Sequence, residues 1–292
     1  MSGKDPLRRG ARRIAAWMGR TRVARGPLRR LALRGFVPTV VWRHVPPGDP
    51  HFVIELPSGR SFRYTVELND PFVRELYWRG LESDEAASLT IFGELAVGGG
   101  LLVDVGAHTG LYTVAALAAS DDTRVIAFEP VPANLDRLRQ NLELNGWTGR
   151  CAIRPAAVSD TVGRARLHVP LDDHPMSASL HSGGYRGLPG RVIEVDTTTL
   201  DHELRGEAPR AMKIDVEGFE DAVLRGATHV LSQTRPSILI ECNVDGPIKE
   251  VETILRAAHY RFRLLDGTER QPLDRLEIDR TERFRNTLCV PT

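Results

Sequence analysis

Ten residues constrain this chain more than any others. Leu101-Leu-Val-Asp-Val-Gly-Ala-His-Thr-Gly110 runs an apolar strand into an acid, then through two glycines four apart, then into a helix. The spacing predicts that Gly106 and Gly110 let the backbone turn tightly and approach a ligand, while the small apolar run from Leu111 to Ala119 continues as a helix whose amino end faces it. A dinucleotide fingerprint requires three glycines to receive a diphosphate. Here His108 takes the middle position, and Asp104 stands two residues before the first glycine. A carboxylate at that point repels phosphates and suits a ligand with a cationic amino group and a sulfonium, which points to S-adenosylmethionine.

A second acid supports that reading. Arg124-Val-Ile-Ala-Phe-Glu-Pro130 is a β-branched and aromatic strand ending in Glu129, and an acid about 20 residues beyond a glycine turn is placed to accept bonds from ribose hydroxyls at the carboxyl edge of a parallel sheet. Pro130 and Pro132 start a helix whose Leu135, Leu138 and Leu142 follow helical spacing, and Asn145-Gly146 supplies its left-handed stop. A lone glycine pair equally suits a strand-to-helix turn with no ligand. Two acids, each at a strand end and each followed by a helix, favour the bound adenosyl cofactor.

In Arg210-Ala-Met-Lys-Ile-Asp-Val-Glu-Gly-Phe-Glu220, alternation puts Lys213 and Asp215 on one face of a strand that leads into a helix starting near Glu217. Phe219, Ala222, Val223, Ala227 and Val230 form its apolar stripe. Glu220 offsets the positive end of that helix dipole. Lys213 and Asp215, which precede the helix, are expected in the site. For transfer of a methyl group to a hydroxyl, a base within hydrogen-bond reach helps the proton leave; Asp215 is the first candidate, followed by Glu217 and His181, with Lys213 orienting Asp215 or holding an anionic acceptor. Asp215, Glu241 and Asn243 also fall at ends of neighbouring strands and are hard oxygen ligands suited to Mg²⁺. They lack any fixed ligand spacing, so no metal is expected.

Asp104-Val-Gly-Ala-His-Thr-Gly110, Phe128-Glu-Pro130, Pro155-Ala-Ala-Val-Ser-Asp160 and Lys213-Ile-Asp-Val-Glu-Gly-Phe-Glu220, in this order, resemble the FkbM family of S-adenosylmethionine-dependent methyltransferases. The resemblance runs from about residue 70 to the end. It implies an α/β class I architecture, a doubly wound, mostly parallel, seven-stranded Rossmann-like sheet closed by an antiparallel hairpin. It also implies O-methyl transfer to hydroxyls of sugars, nucleosides, polyketides or other secondary-metabolite scaffolds. The cofactor contacts it implies are Asp104, Gly106, Ala107, His108, Gly110, Glu129, Pro130, Ala157 and Asp215. At the position of His108 the family commonly has asparagine.

At 292 residues and 41% apolar content, the chain can bury one sizeable core. The expected division is a basic arm over 1–35, a hairpin and helical cap over 36–97, and the methyltransferase domain over 98–292. Residues 1–35 hold eleven Lys or Arg against Asp5 alone, leaving 28 basic and 37 acidic residues in the remainder. Ile14, Trp17 and Met18 give the arm an apolar side for a membrane surface or partner enzyme, with a solvated tail as the commoner outcome. No apolar run follows Arg8-Arg9 or Arg12-Arg13, so neither a signal peptide nor a spanning helix is expected, and the chain is expected in the cytoplasm. The acidic body carries no basic stripe with interleaved aromatics, which weighs against nucleic acid.

Phe52 to Leu56 and Arg60 to Val66 flank a turn and read as a hairpin, followed by helix from Pro71 toward Leu95. Phe72, Tyr77 and Trp78 there either line an acceptor pocket or, as is commoner, fill a core. Later strands are expected over Cys151 to Val158, Arg164 to Val169, Arg191 to Val195, Ser237 to Glu241, Tyr260 to Leu265 and Thr287 to Val290. The polar segment Leu171 to Gly190, with His174, Ser177, Ser179, His181 and Tyr185, is the expected lid. Cys151, Cys242 and Cys289 have no pairing or metal spacing and read as buried thiols in a reducing compartment. A nicotinamide-dependent oxidoreductase and a non-catalytic scaffold on the same fold are the alternative functions; the glycine pattern weighs against the first.

Overall fold

The computed structural model describes residues 25–34, 36, 47, 49–66, 71–82, 86–170, 180, 190–266, 269–276 and 284–292. Two compact units emerge, Met1–Glu55 with Arg63–Ala86, and Leu56–Phe62 with Ala87–Thr292.

In the first unit, helix α1 (Arg25–Ala32) precedes strands β1 (His51–Glu55) and β2 (Ser61–Thr65), which pair as a two-stranded sheet, and helix α2 (Pro71–Arg79). The strands alternate exposed and buried residues, as a sheet with one wet face requires. Arg29 ties α1 down: its guanidinium donates to the carbonyls of Tyr77 and Val53 at 2.9 and 2.8 Å and lies 5.3 and 4.9 Å from the rings of Phe52 and Tyr77. That is a cation–π arrangement. Tyr77 and Trp78 are fully buried and stack edge to face at 4.9 Å, so they are core and line no acceptor pocket; the side chain of Phe72 lies outside the described residues. The last part of the basic arm is therefore an anchored helix, not a solvated tail.

The second unit opens with α3 (Ala86–Ala96), so the helical stretch expected from Pro71 to Leu95 is two helices. There follow β3 (Gly100–Val105), α4 (Leu111–Ala119), β4 (Thr123–Phe128), α5 (Pro132–Asn145), β5 (Cys151–Arg154), β6 (Ala157–Val158), β7 (Gly163–Pro170), β8 (Gly190–Thr198), α6 (Leu200–Glu203), β9 (Ala211–Ile214), α7 (Glu220–Arg225), β10 (Ser237–Asn243), α8 (Ile248–Ala257), β11 (Tyr260–Asp266), β12 (Glu269–Leu273) and β13 (Phe284–Pro291). The main sheet has the order β12-β11-β13-β10-β9-β3-β4-β5. It is parallel from β10 to β5 and antiparallel across β10–β13–β11–β12. This is the doubly wound, Rossmann-like arrangement of class I methyltransferases, with eight strands among the described residues instead of the seven expected. The extra one, β12, is an edge strand on β11.

Central strands covered on both faces read as near-continuous apolar runs, and β3, β4 and β10 do so. One face carries Val103, Val105, Phe128, Met212, Ile214, Ile238 and Ile240 into a single core. On the other face the same alternation presents Asp104, Lys213, Glu241 and Asn243, all nearly buried. The expected strand Cys151 to Val158 is two: Pro155, with no N–H to donate, ends β5, and β6 joins a separate three-stranded sheet, β6-β8-β7. Cys242 and Cys289 are buried free thiols, whereas Cys151 is half-buried. Among the described residues no helix is long and apolar enough to cross a membrane.

Candidate active site

The carboxyl ends of β3, β4 and β9 meet at one edge of the sheet. After β3 the chain turns through Gly106 (φ 79°), His108 (φ 51°) and Gly110 (φ 88°) before α4 begins. The N–H groups of Gly106 and Ala107 both donate to the Phe128 carbonyl at 3.0 and 2.9 Å, and the Asp215 N–H donates to Val105 at 3.0 Å, so three strand tips are laced together. The glycines serve this lacing. A Cβ on Gly106 would lie 1.8 Å from the Asp215 carbonyl oxygen, and one on Gly110 would lie 2.3 Å from Leu138 Cδ1. Close approach of the protein to itself is enough to exclude a side chain at both positions.

His108 sits in the left-handed region, which asparagine and histidine enter more readily than other residues with a Cβ. The backbone thus tolerates histidine where the resemblance implies asparagine. We expect His108→Asn to melt with the parent, and His108→Val, β-branched, to lose about 1–2 kcal/mol and melt a few degrees lower. Equal losses in thermal denaturation would assign the position to the imidazole instead.

Glu129 is 4% exposed yet well supplied with donors. Its Oε1 accepts the Val131 N–H at 2.9 Å and the Asn134 side-chain amide at 3.1 Å, and its Oε2 accepts the His108 N–H at 2.9 Å. A carboxylate offers roughly four acceptor positions, so one remains on Oε2. Burial pushes this carboxyl up to about 7, against the pull of those bonds. Asp104, 1% exposed, accepts the Thr113 hydroxyl at 2.6 Å. Its carboxyl is pushed up to about 6 by burial, opposed by Thr113 and by the Lys213 charge. Asp104 therefore braces the β3–α4 junction from beneath.

Lys213 neighbours Asp104 across the β9–β3 pairing. It is 1% exposed, with Nζ 3.2 Å from Asp215 Oδ2 and 5.0 Å from the centroid of the Tyr112 ring. Asp215 is the accessible member, its side chain 29% exposed. The helix expected near Glu217 begins only at Glu220, because Glu217 (φ 53°) and Gly218 (φ 97°) are both left-handed, outside helical geometry. Glu220, 1% exposed, holds this turn by accepting the Gly218 N–H at 2.9 Å, and burial pushes its carboxyl up to about 7. Glu217 accepts from the Asn243 amide at 3.3 Å, and Glu241 from the Asn286 amide at 3.4 Å.

Of the residues expected from sequence, Asp104, Gly106, Ala107, His108, Gly110, Glu129, Lys213 and Asp215 belong to these laced tips. Ala157 packs beside Val131 in a small core with Leu167, Val169 and Val195, and Pro130 links that core to Glu129. Of the Mg²⁺ candidates, Glu241 and Asn243 are engaged with the carboxamide and carboxylate just named, and no group of three His, Cys, Asp or Glu fit to hold a metal occurs among the described residues. His181 and, apart from Leu180 and Gly190, the expected lid lie outside the described residues. Sequence reasoning missed Tyr112, Thr113, Asn134 and Asn286. Tyr112 and Thr113 left a trace, as the two hydroxyls of an otherwise apolar helix.

The Methyltransferase FkbM domain profile matches residues 104–262. The chain is 28% identical over 206 residues to hexuronic acid methyltransferase AglP of Haloferax volcanii, covering 69% of this chain and 78% of that one. It is 30% identical over 187 residues to 31-O-demethyl-FK506 methyltransferase FkbM of Streptomyces tacrolimicus, covering 54% and 71%. A crystal structure of Methyltransferase FkbM from Methylobacillus flagellatus superposes with a TM-score of 0.45 at 18% identity, over 76% of this chain and 55% of that one. With the profile spanning more than half of its length and all the laced strand tips inside the match, the chain belongs to the FkbM methyltransferase family.

Proposed function

We propose that this protein is an S-adenosylmethionine-dependent O-methyltransferase whose acceptor is a hydroxyl of a sugar or secondary metabolite. The observation that carries the reading is Glu129: a buried carboxylate at a sheet tip, fixed by three donors, with one acceptor position left. An acceptor placed there suits a ribose hydroxyl, and Asp104 at the tip of β3, with a turn of two glycines instead of three, weighs against a diphosphate. Glu129 would hold the ribose, the turn from Gly106 to Gly110 the amino-acid end, and the field of Asp104 favours a cationic ligand, the charge of Asp215 being matched by Lys213. When bound, the cofactor supplies an electrophilic methyl group on sulfur.

What the chain itself contributes is orientation and a proton acceptor. Asp215, at the accessible end of the Lys213–Asp215 pair, would take the proton from the acceptor hydroxyl as that oxygen bonds to the methyl carbon and the carbon–sulfur bond breaks, its electron pair staying on sulfur. Lys213, nearly buried against Tyr112, fixes the carboxylate. Two relatives are named for hexuronic acid and for a hydroxyl of FK506; hydroxylated acceptors of those two kinds are the first to assay, in a cytoplasmic setting.

Calorimetry with S-adenosylmethionine, S-adenosylhomocysteine and NAD tests the reading. Both adenosyl ligands should bind and NAD should not. Glu129→Ala should weaken S-adenosylmethionine binding roughly 10- to 10²-fold, the worth of one hydrogen bond to a charged group. Because the free carboxyl is raised to about 7 and a donated ribose bond lowers it, binding releases a proton, and affinity should rise with pH up to about 7. Tight binding of NAD, or binding by Glu129→Ala equal to the parent, would overturn the assignment.

A further inference from the structure

The end of the anchored helix α1 carries an apolar cluster that the core does not use. The N–H groups of Arg34 and Phe36 both donate to the Leu31 carbonyl, at 3.2 and 3.0 Å, folding the chain back at the helix end. The fold-back gathers Leu31 (47% exposed), Leu33 (37%) and Phe36 (72%), with Arg30 and Arg34 exposed among them. The rest of the helix is committed: Ala32 is buried, Arg29 is locked onto Phe52 and Tyr77, and Leu33 rests partly on Gly80.

We propose that this turn is a membrane-docking surface that seats on bilayers containing anionic phospholipid. Large apolar side chains held in water beside guanidinium groups match a lipid headgroup layer, where the hydrocarbon enters the acyl boundary and each guanidinium meets a phosphate. The charge is complementary over the whole arm, with eleven basic residues and one acid in residues 1–35. The acidic remainder of the chain is repelled by the same surface, so docking is confined to the arm. Nucleic acid satisfies the arginines but offers nothing to Leu31, Leu33 and Phe36.

The test is co-sedimentation of the full chain with phosphatidylcholine vesicles, with and without phosphatidylglycerol, at low and high salt, and with duplex DNA as a competitor. Binding should require phosphatidylglycerol and weaken with salt. Arg30→Gln and Arg34→Gln should each lower it roughly fivefold, the equivalent of about 1 kcal/mol for a basic side chain near an anionic surface. Leu31→Ser with Phe36→Ser should abolish it without shifting the melting temperature, since both side chains are exposed. The proposal is overturned by equal binding to neutral vesicles, by parent-like binding of the serine variant, or by binding to DNA alone.

Discussion

Asp215→Asn is expected to lower kcat by roughly 10²–10⁴-fold, the usual contribution of a positioned proton acceptor, while leaving affinity for S-adenosylmethionine nearly unchanged. Asn keeps the shape and can still face Lys213, so the strand tip stays in place; only the capacity to take a proton is lost. The backbone of Asp215 holds the tips together through the bond from its N–H to Val105, and the substitution does not touch it. Single-turnover measurement with a hydroxylated acceptor, beside calorimetry for the cofactor, separates the two effects. If turnover survives, Glu217 is the next residue to test: it lies two positions on and is tethered to Asn243. Loss of cofactor affinity in parallel with kcat would mean that Asp215 serves binding and that proton removal lies elsewhere.

How much of this was legible in the sequence depends on whether a feature is local. The apolar runs of β3, β4 and β10, the helix start at Pro132 and the stop at Gly146 (φ 74°) are fixed by residues within a few positions of one another. They appear where the sequence puts them. The break at Pro155 is equally local, since a proline without an N–H cannot continue a ladder, and it divides the single strand expected there. The late start of α7 was not readable, because nothing in Val216-Glu217-Gly218 announces that two successive residues turn left-handed. That turn is held from Glu220 and Asn243, one of them on another strand.

Sheet order was less accessible still. That β13 enters between β10 and β11, pairing Glu241 with Asn286, is a matter of tertiary packing. The partner of Glu241 could therefore not be named from spacing. The site divides in the same way. Glu129 and Asp215 announce themselves as acids at strand ends, whereas Asn134, Thr113 and Tyr112 gain their roles only from what β4, β3 and β9 bring beside them. Asp104 was legible as a residue but not in its role, because burial beneath Thr113 depends on how α4 settles on the sheet.

Gly106→Ala should separate the two explanations of the glycine turn more sharply than any other change. If Gly106 is there for a ligand, alanine leaves the apo protein stable and removes only cofactor binding. The geometry demands the opposite order. A Cβ at this position lies 1.8 Å from the Asp215 carbonyl oxygen, and the backbone is at φ 79°, so alanine incurs both a left-handed conformation and a collision with backbone that no rotamer change relieves. The expected loss is about 2–5 kcal/mol, combining left-handed strain with overpacking, a large share of the roughly 5–15 kcal/mol that holds a folded protein together. Thermal denaturation without ligand should show it at once. Gly110→Ala provides the control: its collision is with the far end of the Leu138 side chain, so Leu138→Ala should restore part of the stability lost there and none of that lost at Gly106. Were Gly106→Ala to melt with the parent and fail only to bind S-adenosylmethionine, the lacing of β3 to β9 would not be what fixes glycine at this position.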